Sequence, residues 1–262
     1  MVDPILDNLR ITPDEEEYLT RLQEDNYKSR NGCPECQAVH GLCWNHIKIK
    51  RFYELYDEAG IAPLYREKTL NADWNLKQDF NSRDLSPSDL DRKKYAGALM
   101  SKYVKALPLL CQGQKFKIYS KKSNKSTEFT SLMLIGGPNS GKTLLASIVV
   151  MSAIKQGLTA KLYEWTELCT ALQSYDARTR QDEIAEEMKT FDVIAIDGVT
   201  DYNISSQCFI MQLDRISKTR SGTGKPTIIA GDNDMKTIKN AKQGWHGLLN
   251  SCRELYLPSP PS

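Results

Sequence analysis

Hydrophobic and polar positions divide this chain into two regimes. From Thr130 onward, short apolar runs of strand length alternate with longer stretches of helical spacing. Leu132-Met133-Leu134-Ile135 is uninterrupted, the pattern of a parallel strand buried on both faces. Comparable segments at 159–164, 192–197, 226–230 and 253–257 predict four more strands, with helices in every gap. Thr143 to Gln156 is rich in Leu, Ala, Ile, Val and Met, and Gly157 follows as a helix C′ residue. Such βα alternation predicts an α/β domain with a parallel five-stranded sheet flanked by helices. Right-handed crossovers put all strand C-terminal ends on one edge, where a site would form. The first strand is expected between the third and the fourth.

Ahead of this region the pattern is helical and more polar. Pro13–Asn26 reads as an acidic helix with Asp14, Glu15, Glu16 and Glu17 in its first turn and a narrow stripe of Tyr18, Leu19 and Leu22. It is either a solvated terminal helix or a partner-docking one. Ile47–Ala59 is a second helix, stopped by Gly60. Asn81–Asp91 is polar and contains a proline, so it reads as a linker. Asp91–Leu107 carries Tyr95, Leu99 and Tyr103 at helical spacing and is expected to end at Pro108. Gln112–Glu128 is lysine-rich, with Lys115, Lys117, Lys121, Lys122 and Lys125 around Phe116 and Tyr119. It is a loop or hairpin, either simply solvated or able to hold single-stranded nucleic acid by phosphate contact and base stacking. The organisation expected is an N-terminal partner-binding module over 1–80, a linker at 81–90, a nucleotide domain over 91–257 and a disordered tail at 258–262.

Composition narrows the options. The chain has 262 residues, of which 40% are apolar, enough for a large domain with an appendage. No apolar run has the length of a membrane span and no secretory signal opens the chain, so a cytoplasmic protein without membrane contact is expected. A net charge of +2 does not decide for or against nucleic acid. The seven cysteines, an odd number, fit a reducing compartment better than a disulfide framework.

The most specific chemistry lies at Gly136-Gly137-Pro138-Asn139-Ser140-Gly141-Lys142-Thr143, which reads G-x-x-x-x-G-K-T. Glycines let the backbone wrap a phosphate so that successive N–H groups point at the anion. Lys142 is placed for the β/γ-phosphates of ATP, the Thr143 hydroxyl for Mg²⁺, and Leu144 continues the helix whose positive end adds to the site. An apolar strand precedes the motif and a helix follows it, which is the order the motif needs.

A second acidic strand must help hold the metal. Val193-Ile194-Ala195-Ile196-Asp197 supplies four apolar residues and then a carboxylate, so Asp197 is the expected magnesium ligand, through water. In many such ATPases the next residue is a water-orienting Glu; here it is Gly198. Tight nucleotide binding with weak turnover is expected, with Glu164, Glu167 and Asp201 as possible substitutes. The strand at 226–230 leads into Gly231-Asp232-Asn233. Asn233 or Asp232 can orient water beside the γ-phosphate, or can serve only as a helix cap. Arg215, Arg220 and Arg253 are the arginines considered for action in trans on a neighbouring subunit.

Cys33-Pro34-Glu35-Cys36, then Cys43-Trp44-Asn45-His46, gives C-x2-C-x6-C-x2-H. Cys33, Cys36, Cys43 and His46 are the expected ligand set of a closed, structural Zn²⁺ site, with His40 or Glu35 as alternative ligands; free thiols in a small core and an iron–sulfur cluster are the other readings, and the histidine favours zinc.

Together these features resemble the helicase-loader ATPases of the DnaC/DnaI type and their IstB-type transposon relatives, within the AAA+ group. The resemblance rests on the helix at 91–107, GGPNSGKT, the segment Lys161–Leu168, DVIAID, Gln212-Leu213-Asp214-Arg215 ahead of KPTIIAGDN, and the approach Ala59–Tyr65. It implies an AAA+ P-loop fold without a C-terminal lid and a small N-terminal zinc module. It also implies ATP-dependent self-association, contact with single-stranded DNA and engagement of a replicative DNA helicase. By the same resemblance Lys142, Thr143 and Asp197 serve nucleotide and magnesium. Gly198 and the segment Gly247–Arg253 depart from the family pattern. Three alternatives stay open: a transposition helper on duplex DNA, a RecA-like DNA-stimulated ATPase, and a nucleotide-locked scaffold.

Overall fold

The computed structural model describes residues 44–66, 68, 85–120, 125–173, 178–199, 218–220, 222–231 and 252–259. The elements are helix α1 (Trp44–Glu58), a 3-10 turn (Pro63–Tyr65), α2 (Pro87–Cys111), strands β1 (Phe116–Ser120), β2 (Lys125–Phe129) and β3 (Ser131–Ile135), α3 (Lys142–Lys155), β4 (Ala160–Glu164), α4 (Trp165–Gln173), α5 (Arg178–Thr190), β5 (Val193–Val199), β6 (Thr227–Gly231) and β7 (Cys252–Tyr256).

The main sheet has five parallel strands in the order β4-β5-β6-β3-β7. The expected placement of the first strand is therefore corrected: β3 lies between β6 and β7. Alternation fixes strand direction but not order. Every residue of β3 and of β6 is buried, as befits two strands that each have a neighbour on both sides.

Successive residues feed opposite faces. Leu132 and Leu134 join an apolar cluster with α1, α2 and α3, including Phe52, Leu99, Tyr103 and Val149. Met133 and Ile135 join a second cluster with Leu168 of α4 and Ile184 and Met188 of α5. The two-residue period of the strand thus builds a three-layer sandwich.

Two helix boundaries differ from expectation. α2 begins inside the segment read as a linker, because Ser86 caps it by accepting a hydrogen bond from the Asp89 N–H and Pro87 occupies its first turn. Nor does Pro108 end α2. A proline leaves the carbonyl four residues earlier without its N–H partner. That carbonyl, on Val104, accepts instead from the Gln156 amide at 2.9 Å, so the helix runs on to Cys111. The buried stripe is Ala96, Leu99, Met100, Tyr103, Leu107 and Leu110, whereas Tyr95 is exposed.

The lysine-rich segment is an antiparallel hairpin, β1 with β2. Phe116 and Phe129 close it onto Tyr103 of α2, with ring centroids 5.3–6.3 Å apart. Phe116 is thereby committed to packing and is not a stacking platform; Tyr119, 61% exposed, remains one. Lys117 pairs with Glu128 across the strands.

Edge strand β4 has a partner outside the sheet. The N–H of Leu162 on edge strand β4 donates to the Ala59 carbonyl at 2.8 Å. Gly60 turns there with φ +77°, and a Cβ on it would stand 2.6 Å from the Leu162 carbonyl oxygen. At the other end, the residues after β7 stay packed on the sheet. Leu257 and Pro258 are buried, and the Leu257 N–H donates to the Ile135 carbonyl at 2.7 Å. Residues 260–262 lie outside the described residues, as do the 13–26 segment and Lys121 and Lys122. Among the described residues, no helix is long and apolar enough to cross a membrane.

Candidate nucleotide-binding site

The phosphate loop leaves β3 and turns into α3. Its shape comes from two left-handed residues, Asn139 (φ 58°) and Gly141 (φ 92°). Asparagine tolerates that region better than most side chains, and glycine does so without cost. Gly136 is needed for a different reason: a Cβ there would meet the Leu257 carbonyl oxygen and the Ser140 hydroxyl at 2.5 Å each. Gly136, Gly137 and Ser140 are buried, while Pro138 and Asn139 form the exposed crest.

Lys142 is fixed at the start of α3. Its ammonium donates to the Gly136 and Gly137 carbonyls at 2.7 Å and lies 3.5 Å from the Ser140 hydroxyl, so the charge is held across the loop. The first hydrogen bond of α3 runs from the Leu145 N–H to the Gly141 carbonyl. The N–H groups of Lys142, Thr143 and Leu144 therefore lie in the turn that has no helical acceptor, where anions bind.

Asp197 ends the apolar stretch of β5, half-buried, with a buried Oδ1 that has no hydrogen-bond partner. β6 lies between β5 and β3, and the Gly136 N–H donates to the Gly231 carbonyl at 3.3 Å. Loop and carboxylate thus share one edge of the sheet, two strands apart. A cradle whose first position only glycine fits, a helix N-terminus, a fixed ammonium and an orphaned carboxylate oxygen together suit a magnesium–triphosphate complex.

Gly198 has φ +73°, is exposed, and has nothing within 4 Å of where a Cβ would stand. The pairing of β5 with β6 shifts register between Ile196 and Val199. The strand bulges immediately after Asp197, at a backbone conformation that suits glycine and strains glutamate. Position 198 therefore offers neither a carboxylate nor a backbone suited to one.

The remaining candidates separate clearly. Glu164 pairs in register with Asp197, whereas Glu167 is exposed in the first turn of α4. Arg220 is corrected from trans-acting candidate to internal strut. It is wholly buried and donates to the carbonyls of Met188, Phe191, Asp192 and Pro226 and to the Thr227 hydroxyl. These lie at the opposite end of the sheet from the loop. Burial pushes its pKa down to about 10, which still leaves it charged at neutral pH. Arg253 is exposed on edge strand β7. Asp201, Arg215, Asp232 and Asn233 lie outside the described residues. So do Cys33, Cys36 and Cys43, and of the zinc set only the backbone of His46, within α1, is described. No cluster of three or more metal-ligating side chains occurs among the described residues.

Sequence reasoning overlooked Tyr65. The 3-10 turn that carries it packs on α3, and burial together with the Asp197 charge raises its phenol pKa. The connection from the N-terminal helix therefore passes within electrostatic reach of the Asp197 carboxylate. An aromatic residue shortly after a proline gives no sequence signal for that role.

This architecture and loop define an AAA+ P-loop NTPase fold. No protein-family model matches the sequence, and no curated protein matches it. Among solved structures the chain is similar to the DnaC helicase loader, with a TM-score of 0.51 and 14% identity over 75% of this chain and 99% of that one. Looser likenesses are to DnaI, with TM-score 0.49, 16% identity, and 70% and 92% coverage. DnaA bound to AMPPCP and single-stranded DNA gives TM-score 0.46, 17% identity, and 72% and 51% coverage. At these identities the shared property is the fold.

Proposed function

We propose that this protein is an ATP-switched assembly factor that engages a replicative DNA helicase and delivers it to single-stranded DNA, with weak intrinsic hydrolysis. The observation that supports this reading is a glycine-rich loop with Lys142 fixed across it, in a fold similar to 99% of the solved DnaC helicase loader chain. Lys142, the Gly136–Gly141 backbone and the first-turn amides would hold the triphosphate, and Thr143 and Asp197 the magnesium. When bound, the metal would neutralise phosphate charge. Asn233, which follows β6 in sequence, would orient water. Tyr119 and the lysines of the β1–β2 hairpin would supply DNA contact.

The division into a partner-binding module at 1–80, a linker and an ATPase over 91–257 belongs to the same proposal. So do assembly of ATPase domains side by side and a zinc-held N-terminal module. Purified protein is expected to contain one zinc per chain by atomic absorption, lost in Cys36→Ser; a metal-free parent would dismiss that module. For the main reading, capture from host lysate with and without ATP should recover a replicative helicase only with nucleotide. Binding to single strands should weaken steeply with salt. Filaments on duplex DNA and recovery of a transposase would favour the transposition-helper alternative instead.

A further inference from the structure

The site has one carboxylate on β5, and the residue after it holds a backbone conformation that strains glutamate. The neighbouring strand supplies a second. Glu164 is the last residue of β4 and stands in register with Asp197 of β5. Residues in register on adjacent parallel strands share a sheet face and lie about 5 Å apart. That face is identified by the preceding residues: Leu162 on β4 and Val193 and Ala195 on β5 all pack in the cluster that contains α3. Glu164 and Asp197 therefore lie on the face from which the phosphate-loop helix starts. Glu164 is exposed, while Trp165, which follows it and opens α4, is 1% exposed and anchors the strand end in the opposite cluster. A carboxylate that is solvent-accessible on a rigid strand-to-helix junction is positioned rather than loosely displayed.

We propose that Glu164 supplies the water-orienting carboxylate of this site, from the neighbouring strand rather than from position 198. This rests on the nucleotide reading above and deepens it. Glu164 stands on the side of Asp197 away from the loop, so it acts through one bridging water, a reach general bases use. The attacking water's oxygen bonds to the γ-phosphorus. The bond from that phosphorus to the β–γ bridging oxygen breaks, and its electron pair stays on the nucleoside diphosphate. The proton released by water passes through the bridging water to the Glu164 carboxylate and from there to solvent. The longer relay accounts for slow turnover without abolishing it.

The test uses the full chain with Mg·ATP, with and without single-stranded DNA. Affinity is measured by calorimetry, hydrolysis by single-turnover release of labelled phosphate, and the retained nucleotide is identified after gel filtration. Glu164→Gln is expected to bind within about threefold of the parent. It should hydrolyse at least about a hundredfold more slowly, the lower end of the range for general-base removal. It should also retain ATP where the parent retains ADP. Glu167→Gln should match the parent in all three measurements. The proposal is overturned if Glu164→Gln hydrolyses at the parent rate, if Glu167→Gln loses as much, or if the parent leaves ATP intact under every condition. Absence of Mg·ATP binding by the parent would instead bring down the nucleotide reading itself, and recovery of the helicase partner is scored independently of both.

Discussion

Lys142→Ala will lose more than about a hundredfold in affinity for Mg·ATP. The ammonium is fixed by the Gly136 and Gly137 carbonyls at 2.7 Å, on the same loop whose backbone would wrap the phosphates. Charge-assisted hydrogen bonds are worth about 1.5–3 kcal/mol each, and two of them to phosphate oxygens amount to about 3 kcal/mol or more. At 1.4 kcal/mol per factor of ten, that exceeds two orders of magnitude. Titration calorimetry reads it directly. A lysine that served only to brace the loop would show equal loss of thermal stability and of binding. The expectation here is that binding collapses while the unfolding midpoint without nucleotide moves little. Equal affinity in parent and variant would end the nucleotide interpretation.

The second large effect belongs to Arg220, and it falls on stability. Arg220→Met removes a planar, five-donor group that serves four backbone carbonyls and the Thr227 hydroxyl in a fully buried setting. Each buried carbonyl left without a partner costs about 1–3 kcal/mol, so a loss of about 4 kcal/mol is expected, at the exceptional end for one substitution. For a chain of this size the melting temperature should drop by about 10 °C. Arg220→Lys should rescue little of it, since an ammonium lacks the planar fork. Below the melting transition, Mg·ATP affinity should stay near the parent value, because the strut and the loop occupy opposite ends of the sheet. Selective loss of ATP hydrolysis with unchanged melting would instead restore Arg220 as an arginine acting on a neighbour's nucleotide.

What could be read from the residues, and what could not, follows physical lines. The strands and the phosphate loop were legible because their signals are local: uninterrupted apolar runs at β3 and β5, and glycines spaced by the need to approach an anion. Pro108 misled because a proline's effect depends on a partner far along the chain; Gln156 satisfies the orphaned Val104 carbonyl. The strand order was misplaced because crossovers constrain handedness, not neighbours. Ser86-Pro87 carried a helix-start signal inside a segment whose polarity suggested a linker. Arg220 illustrates a general difficulty, since nothing in its neighbourhood in sequence distinguishes a buried strut from a free guanidinium. The register of Glu164 with Asp197 is likewise a property of two strands brought together. The bulge at Gly198 was half legible: the missing glutamate could be seen, but not the backbone conformation that disfavours one.

The contact between Leu257 and the base of the loop has a practical consequence. The same carbonyl that forbids a side chain at Gly136 sets the direction in which the polypeptide leaves the sheet. A load applied behind Pro258, whether an affinity handle, a fluorophore or a tethered protein, bears on the hydrogen bond from Leu257 to Ile135, one residue before Gly136. A fusion at that end therefore loads the base of the glycine-rich loop rather than hanging free of the fold.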